Sequence, residues 1–155
     1  MLLEDDVNLL KTIPLFSKIE PNKLKLIAFT GERLIFKKGD VIFNKGEEGQ
    51  TIMIILEGEA NVLLPTQKHV EPIAIVKKGE IIGEIATLCN IPRTMTLIAR
   101  TDSIFLSLTK ELFLKLIREI PDLAVQIIHD LAKRLANTIE QFEAKIALHG
   151  DNNVS

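Results

Sequence analysis

Residues 33–63 are RLIFKKGDVIFNKGEEGQTIMIILEGEANVL, a stretch in which short apolar runs alternate with glycine-containing turns. The same pattern continues to residue 108 through the runs IAIV, TLIA and SIFLSL. Six of the eight glycines lie between Arg33 and Leu108. Short runs separated by turn residues at intervals of about 8–12 residues predict an all-β sandwich, barrel or jelly roll.

Helical patterns lie on both sides of this β region. Pro14 interrupts the first helical stretch, and Pro21 is placed to open a second helix. From residue 109 the helical period returns, and a long helix is predicted to begin at Pro121. We predict one domain over residues 1–150, with helices at 1–30, a β-barrel at 31–108 and C-terminal helices at 109–148. Residues 151–155 are predicted to be a disordered tail.

The last predicted helix carries a narrow apolar stripe. Ile128, Leu131, Leu135, Thr138 and Phe142 alternate in spacings of three and four residues. Such a stripe packs either on the β-core of its own chain or against the same helix of a second chain. The spacing favours a homodimer and leaves packing within one chain open.

Composition and charge restrict the possible partners. The chain has 155 residues, of which 46% are hydrophobic and 26% charged, as in a globular protein. A net charge of −2 and a pI near 5.9 argue against sequence-independent nucleic-acid binding. The acidic start MLLEDDVNLLK is unlike a signal peptide, and no apolar run approaches the roughly 20 residues of a membrane span. We therefore expect a cytoplasmic protein with neither nucleic acid nor a membrane as partner.

No residue set with catalytic spacing is found. Cys89 is the only cysteine, so no disulfide or zinc-binding cysteine cluster is expected. The three histidines, at positions 69, 129 and 149, are far apart. Sequence motifs for a serine nucleophile or a P-loop are lacking. We predict that the chain binds no metal and is not an enzyme.

Residues 79–96, GEIIGEIATLCNIPRTMT, are the best candidates for a ligand site. Gly83 allows a close approach of the backbone to a ligand, and the apolar residues after it suffice for one helical turn whose N–H groups suit an anion. Arg93 would complete a phosphate site, whereas Glu84 accepts hydrogen bonds and suits a sugar hydroxyl. Together they predict a nucleotide site. The alternative is a Glu84–Arg93 ion pair that only fixes a loop.

This segment resembles the phosphate-binding cassette of the cyclic nucleotide-binding domain family, with GEIA followed by PRTMT at the family's spacing. KTIPLFSKIEPNKLKLIA resembles the N-terminal helical segment of that family, and IFKKGDVIFNKGEEGQTIMIILEGEANV resembles its first strands. LAKRLANTIEQ resembles the long C-terminal helix of the catabolite activator protein branch, and the protein kinase A regulatory subunits are of the same type. The resemblance implies a mainly β fold with flanking helices: a double-stranded β-helix (jelly-roll) barrel, an N-terminal helical segment and a long C-terminal helix.

The resemblance also implies a role for individual residues. Glu84 would accept a hydrogen bond from the ribose 2′-hydroxyl of cAMP or cGMP, and Arg93 would pair with the cyclic phosphate. The backbone N–H groups expected to bind the phosphate are those of Gly83, Ile85, Ala86 and Thr94. The side chains expected around the sugar and base are those of Val62, Ile73, Ile85 and, from the long helix, Thr138. The alternative to a base contact for Thr138 is a polar residue that is merely tolerated in the apolar stripe of the long helix.

Three positions depart from the family pattern, and a fourth bears on the base. Ile82 stands where an aromatic residue is common, Thr87 where Leu is frequent and Met95 where Ala is usual. Met95 is bulkier and would crowd the pocket. Thr94 is similar to branches that accept cGMP, through a bond from its hydroxyl to guanine, or it is simply a strand residue. The base preference stays open, with cAMP favoured by the family.

As a whole, the resemblance implies a stand-alone or excised cyclic-nucleotide sensor without a DNA-reading domain. Ligand binding would reposition the cassette helix and a hinge at Leu112–Ile120, and so move the helix Pro121–Ile146 over the base. The signal would pass through that helix to an unknown downstream protein partner. The alternative is a domain of the same fold that has lost its ligand and acts as a dimerisation or scaffold module.

Overall fold

The computed structural model describes residues 2–64 and 71–152, and the side chains from residue 4 to residue 149 within those ranges. The chain forms two compact units that divide between Glu119 and Ile120. The prediction of a single domain stays a prediction. Most of the predicted hairpin loop at 65–72, including His69, lies outside the described residues.

Along the described chain, helices precede and follow a region of eight strands, as the sequence predicts. The helices are α1 (Leu2–Lys11), α2 (Pro21–Thr30), α3 (Glu84–Cys89), α4 (Lys110–Glu119) and α5 (Pro121–Asn152), with a short 3-10 helix at Pro14–Phe16. The strands are β1 (Glu32–Phe36), β2 (Val41–Phe43), β3 (Thr51–Glu57), β4 (Glu59–Leu63), β5 (Ala74–Lys77), β6 (Ile81–Ile82), β7 (Thr96–Ala99) and β8 (Ser103–Thr109). The fold is therefore mainly β with flanking helices.

The strands form two antiparallel sheets of four. Their orders are β1-β8-β3-β6 and β2-β7-β4-β5. Among the described residues no strand pairing joins the edges of the two sheets, so the predicted closed barrel is found here as two separate sheets. Each sheet takes strands from both halves of the β region, which brings residues distant in sequence next to one another.

The core of the first unit lies on both faces of β3. Met53 and Ile55 belong to a buried cluster with Phe105 of β8 and with Ala60 and Leu97 of the second sheet. Because side chains alternate along a strand, the intervening residues of β3 lie on the opposite face, and α1 and α4 also contact this strand. The strand is buried from Ile52 to Leu56, and its first residue, Thr51, is half-buried.

Helix α5 is described by itself. It begins at Pro121, as predicted, and continues to Asn152, past the predicted end at residue 148. Gly150 costs a helix only about 1 kcal/mol relative to Ala, which is too little to end it there. Large apolar side chains are exposed along this helix: Val125, Ile128, Leu135, Ile139, Phe142, Ile146 and Leu148. None of the described helices is long and apolar enough to cross a lipid bilayer.

Candidate functional site

The candidate site begins at the turn between β6 and α3. Gly83 precedes the helix with φ of 81° and ψ of 4°, a left-handed conformation that a residue with a side chain adopts only at a cost. A Cβ atom at this position would collide with Nη1 of Arg93 and would lie 3.1 Å from the carbonyl oxygen of Thr51. Glycine is therefore required here by both conformation and space.

The backbone of Arg93 is fixed by the loop that follows β2. Its N–H donates to the carbonyl of Glu47 at 2.8 Å, and its own carbonyl accepts from the N–H of Gly46 at 2.8 Å. Gly49 lies against the side chain, because a Cβ atom there would be 2.9 Å from both Cζ and Nε of Arg93 and 2.9 Å from Cβ of Ala86. The residues between β2 and β3 thus pack closely on the residue predicted to bind phosphate.

The Arg93 guanidinium is held inside the protein. Only 5% of the residue is exposed. Nη1 donates to the carbonyl of Gly83 at 3.2 Å, and Nη2 donates to the carbonyl and the hydroxyl oxygens of Thr51 at 3.0 and 3.3 Å. Its Cζ lies 4.5 Å from the centre of the Phe43 ring, a cation–π contact. These hydrogen bonds engage both terminal nitrogens of the guanidinium, Nη1 and Nη2.

The charge on Arg93 is costly in this environment. Burial lowers the pKa of its guanidinium below the ordinary value, while the carboxylates of Glu47 and Glu84 oppose that shift. Glu84 is itself buried, with 7% of the residue exposed, at the first position of α3. The structure therefore brings the predicted pair, Glu84 and Arg93, to the start of one short helix. A fixed guanidinium suits a phosphate, and a neighbouring carboxylate suits a hydroxyl.

The other predicted site residues of the first unit differ in their burial and contacts. Ala86 is buried in α3, whereas Ile85 and Thr94 are exposed beside Glu84 and Arg93 in the chain. Val62 packs against the core of the first unit, and the N–H of Ile73 donates to the carbonyl of Val62 at 2.9 Å.

Thr138 lies in the second unit, where its side chain is exposed. Its hydroxyl donates to the carbonyl of Arg134 at 3.0 Å, a bond within its own helix. Its role as a base contact stays a prediction.

Four residues of the site were missed by the sequence analysis. Phe43, Gly49 and Thr51 contact Arg93 from a part of the chain more than 40 positions earlier. Thr87 is 1% exposed, and its hydroxyl donates to the Thr51 carbonyl at 2.8 Å. The departure from Leu at position 87 was the available signal for this contact. No cluster of metal-binding side chains is found in the part of the chain that the structure describes.

Comparison with known proteins identifies the family. The family model of the cyclic nucleotide-binding domain matches residues 33–119, more than half of the chain. The chain belongs to the cyclic nucleotide-binding domain family. The match contains both sheets, the turn at Gly83 and Arg93, so the family resemblance stated from the sequence is confirmed.

Relatives of this domain are parts of longer proteins of several kinds. The chain is 32% identical over 103 residues to mouse (Mus musculus) cGMP-dependent protein kinase 2 and to the cAMP-dependent protein kinase regulatory subunit of Hypocrea atroviridis. These matches cover 65% and 66% of this chain but only 14% and 21% of the two relatives. The structure of the Thermus thermophilus catabolite activator protein is similar with a TM-score of 0.66 and 27% identity, covering 88% of this chain and 63% of that one.

Proposed function

We propose that this cyclic nucleotide-binding domain binds cAMP or cGMP and acts as a regulatory sensor rather than as an enzyme. The observation that supports this most is the Arg93 guanidinium, which is buried beside Glu84 at the start of α3 and fixed by two backbone carbonyls. A charge kept inside a protein at an energetic cost is typical of a functional site. Membership of the family supports a cyclic nucleotide as the class of ligand.

In this proposal each predicted residue keeps its role. Arg93 pairs with the cyclic phosphate, and Glu84 accepts from the ribose 2′-hydroxyl. The backbone N–H groups of Gly83, Ile85, Ala86 and Thr94 add donors to the phosphate. The apolar wall comes from Val62, Ile73 and Ile85, of which Ile73 and Ile85 are exposed and so available to a ligand. Thr94 and Thr138 are the proposed contacts to the base.

The finer features of the fold and its signalling are also proposals. In the orders β1-β8-β3-β6 and β2-β7-β4-β5, successive strands lie in different sheets except for the paired β4 and β5, which supports a jelly roll of the double-stranded β-helix type. We propose that ligand binding is relayed through α5 to a protein partner in the cytoplasm. The exposed apolar side chains of α5 support a homodimer through this helix, since a single-chain surface rarely leaves such a row in water.

The test is calorimetric titration of the nucleotide-stripped protein with cAMP and then with cGMP. Saturable binding of one nucleotide per chain is expected, and the ratio of the two affinities measures the base preference. Stripping is confirmed by the ultraviolet spectrum of the protein, which contains no Trp or Tyr and therefore reveals bound purine clearly. The absence of both heat and a thermal shift with either nucleotide would refute the proposal.

A second candidate function is a scaffold domain that has lost its ligand. It is supported by the fact that the Arg93 guanidinium has acceptors within the protein, the carbonyls of Gly83 and Thr51. In that case Arg93 only fixes the loop after β2 against α3. The same titration separates the two functions, because a scaffold domain binds neither nucleotide and still forms a dimer.

A further inference from the structure

Two carbonyl oxygens near the start of α3 are shared between Thr87 and Arg93. The carbonyl of Gly83 accepts from the Thr87 N–H at 3.2 Å and from Nη1 of Arg93 at 3.2 Å. The carbonyl of Thr51 accepts from the Thr87 hydroxyl at 2.8 Å and from Nη2 of Arg93 at 3.0 Å. Each of the two carbonyls that accept from the guanidinium thus also accepts from Thr87.

The Thr87 hydroxyl donates to an acceptor outside its own helix. A threonine within a helix commonly bonds the carbonyl four residues earlier, which here is that of Gly83. Its hydroxyl instead reaches the first residue of β3, 36 positions away in the sequence. Because Thr87 is 1% exposed, water does not compete for this bond. The hydroxyl therefore ties α3 to a strand that is itself held on both faces.

We infer that Thr87 is a positioning residue for Arg93, an inference that rests on the proposed function of the site. A carbonyl oxygen has two lone pairs, so one bond from Thr87 fixes its direction and leaves the other lone pair for the guanidinium. A planar guanidinium binds phosphate well only when its plane is oriented correctly. The Thr87 hydroxyl helps to set that plane by holding the Thr51 carbonyl, while the Thr87 N–H holds the Gly83 carbonyl within the helix. No contact with the nucleotide is assigned to its side chain.

The inference concerns the hydroxyl and not the volume of the side chain. Thr87→Val has nearly the same shape and removes only the donor to Thr51, whereas Thr87→Ser keeps the donor and removes a methyl group. A packing role predicts that both variants behave alike or that Ser is worse. A positioning role predicts that Val is worse and that Ser restores the site.

Two measurements on the whole chain test the inference. The first is the affinity for cAMP by calorimetry, where Thr87→Val is expected to weaken binding about 3- to 10-fold, the effect of one hydrogen bond, and Thr87→Ser to stay within about twofold of the natural chain. The second is the Nε–H signal of Arg93 in the nitrogen–proton NMR spectrum of the ligand-free protein, assigned by its disappearance in Arg93→Lys. Thr87→Val is expected to shift or broaden that signal, and Thr87→Ser is expected to leave it in place.

The results separate the inference from the proposed function. An Arg93 signal that is the same in Thr87→Val and in the natural chain overturns the inference, whatever happens to affinity. If the signal changes as expected but the natural chain binds neither nucleotide, the positioning role is supported and the proposed function fails. Thr87→Ala, which also lacks the hydroxyl, replaces Thr87→Val if thermal unfolding shows that the latter does not fold.

Discussion

Replacing Arg93 by Ala is expected to abolish most nucleotide binding while leaving the domain folded. The two carbonyls that accept from Arg93 also accept from Thr87, so the substitution leaves neither without a donor. The substitution removes the contact with Phe43 and the attraction to the carboxylates of Glu47 and Glu84, and these losses are offset in part because a guanidinium is no longer dehydrated. We expect the free energy of unfolding to fall by only about 1–2 kcal/mol.

The effect on binding should be much larger, because a bound phosphate would lose its cationic partner in a site shielded from water. Loss of one partner of a buried charge pair costs about 3–5 kcal/mol, which is at least a hundredfold in Kd. Calorimetric titration with cAMP measures this change, and thermal unfolding of the same samples reports stability.

Arg100→Ala is the matched control. Arg100 is an exposed arginine that lies 3.5 Å from the carboxylate of Glu59, so its removal should leave the affinity within about twofold of the natural value. Equal affinities for Arg93→Ala and the natural chain would show that the phosphate assignment is wrong. A loss of binding accompanied by unfolding at 25 °C would also refute the reasoning, because it would make Arg93 a structural residue.

Three further substitutions test other parts of the proposal. Glu84→Gln should weaken cAMP binding roughly tenfold but leave the affinity for 2′-deoxy-cAMP unchanged, and a loss with the deoxy analogue would exclude the ribose role. In urea unfolding, Gly83→Ala should lower the free energy of unfolding more than Gly39→Ala does. Both glycines have positive φ, but of the two only Gly83 has other atoms where a Cβ would lie. Equal losses of stability in the two variants would contradict this. In sedimentation, Leu135→Asp should convert the proposed dimer to a monomer, while the control Lys133→Asp, on the opposite face of α5, should leave it a dimer. An unchanged mass for a folded Leu135→Asp variant would exclude α5 as the dimer interface.

The sequence was sufficient to predict the main helices and the β region, and to single out the pair Glu84 and Arg93. Glycine spacing and short apolar runs predicted the β region, and Pro21 and Pro121 open helices as expected. Gly83 and Arg93 lie only ten positions apart, so their proximity follows from one local turn. Local signals of this kind depend on backbone conformation and are visible in a single stretch of sequence.

The contacts around Arg93 from Phe43 and Thr51 could not be predicted in the same way. They depend on which strands become neighbours and in what register, and that is decided by packing of the two sheets as a whole. The role of Thr87 had a local signal, its departure from Leu, but its partner is again on β3. The exposure of Ile85 also was not visible in the sequence, since an apolar residue in a short helix is equally compatible with burial.

The burial of Arg93 by protein atoms alone has a consequence for the evolution of the domain. The guanidinium loses most of its water when the chain folds, so most of the energetic penalty of dehydrating it falls on folding and not on nucleotide binding. Position 93 therefore carries a cost in folding that is recovered only when a nucleotide binds. A library of this chain selected for folding alone should tolerate replacement of Arg93 at a cost of about 1–2 kcal/mol, whereas a library selected for nucleotide binding should retain Arg93 in every survivor.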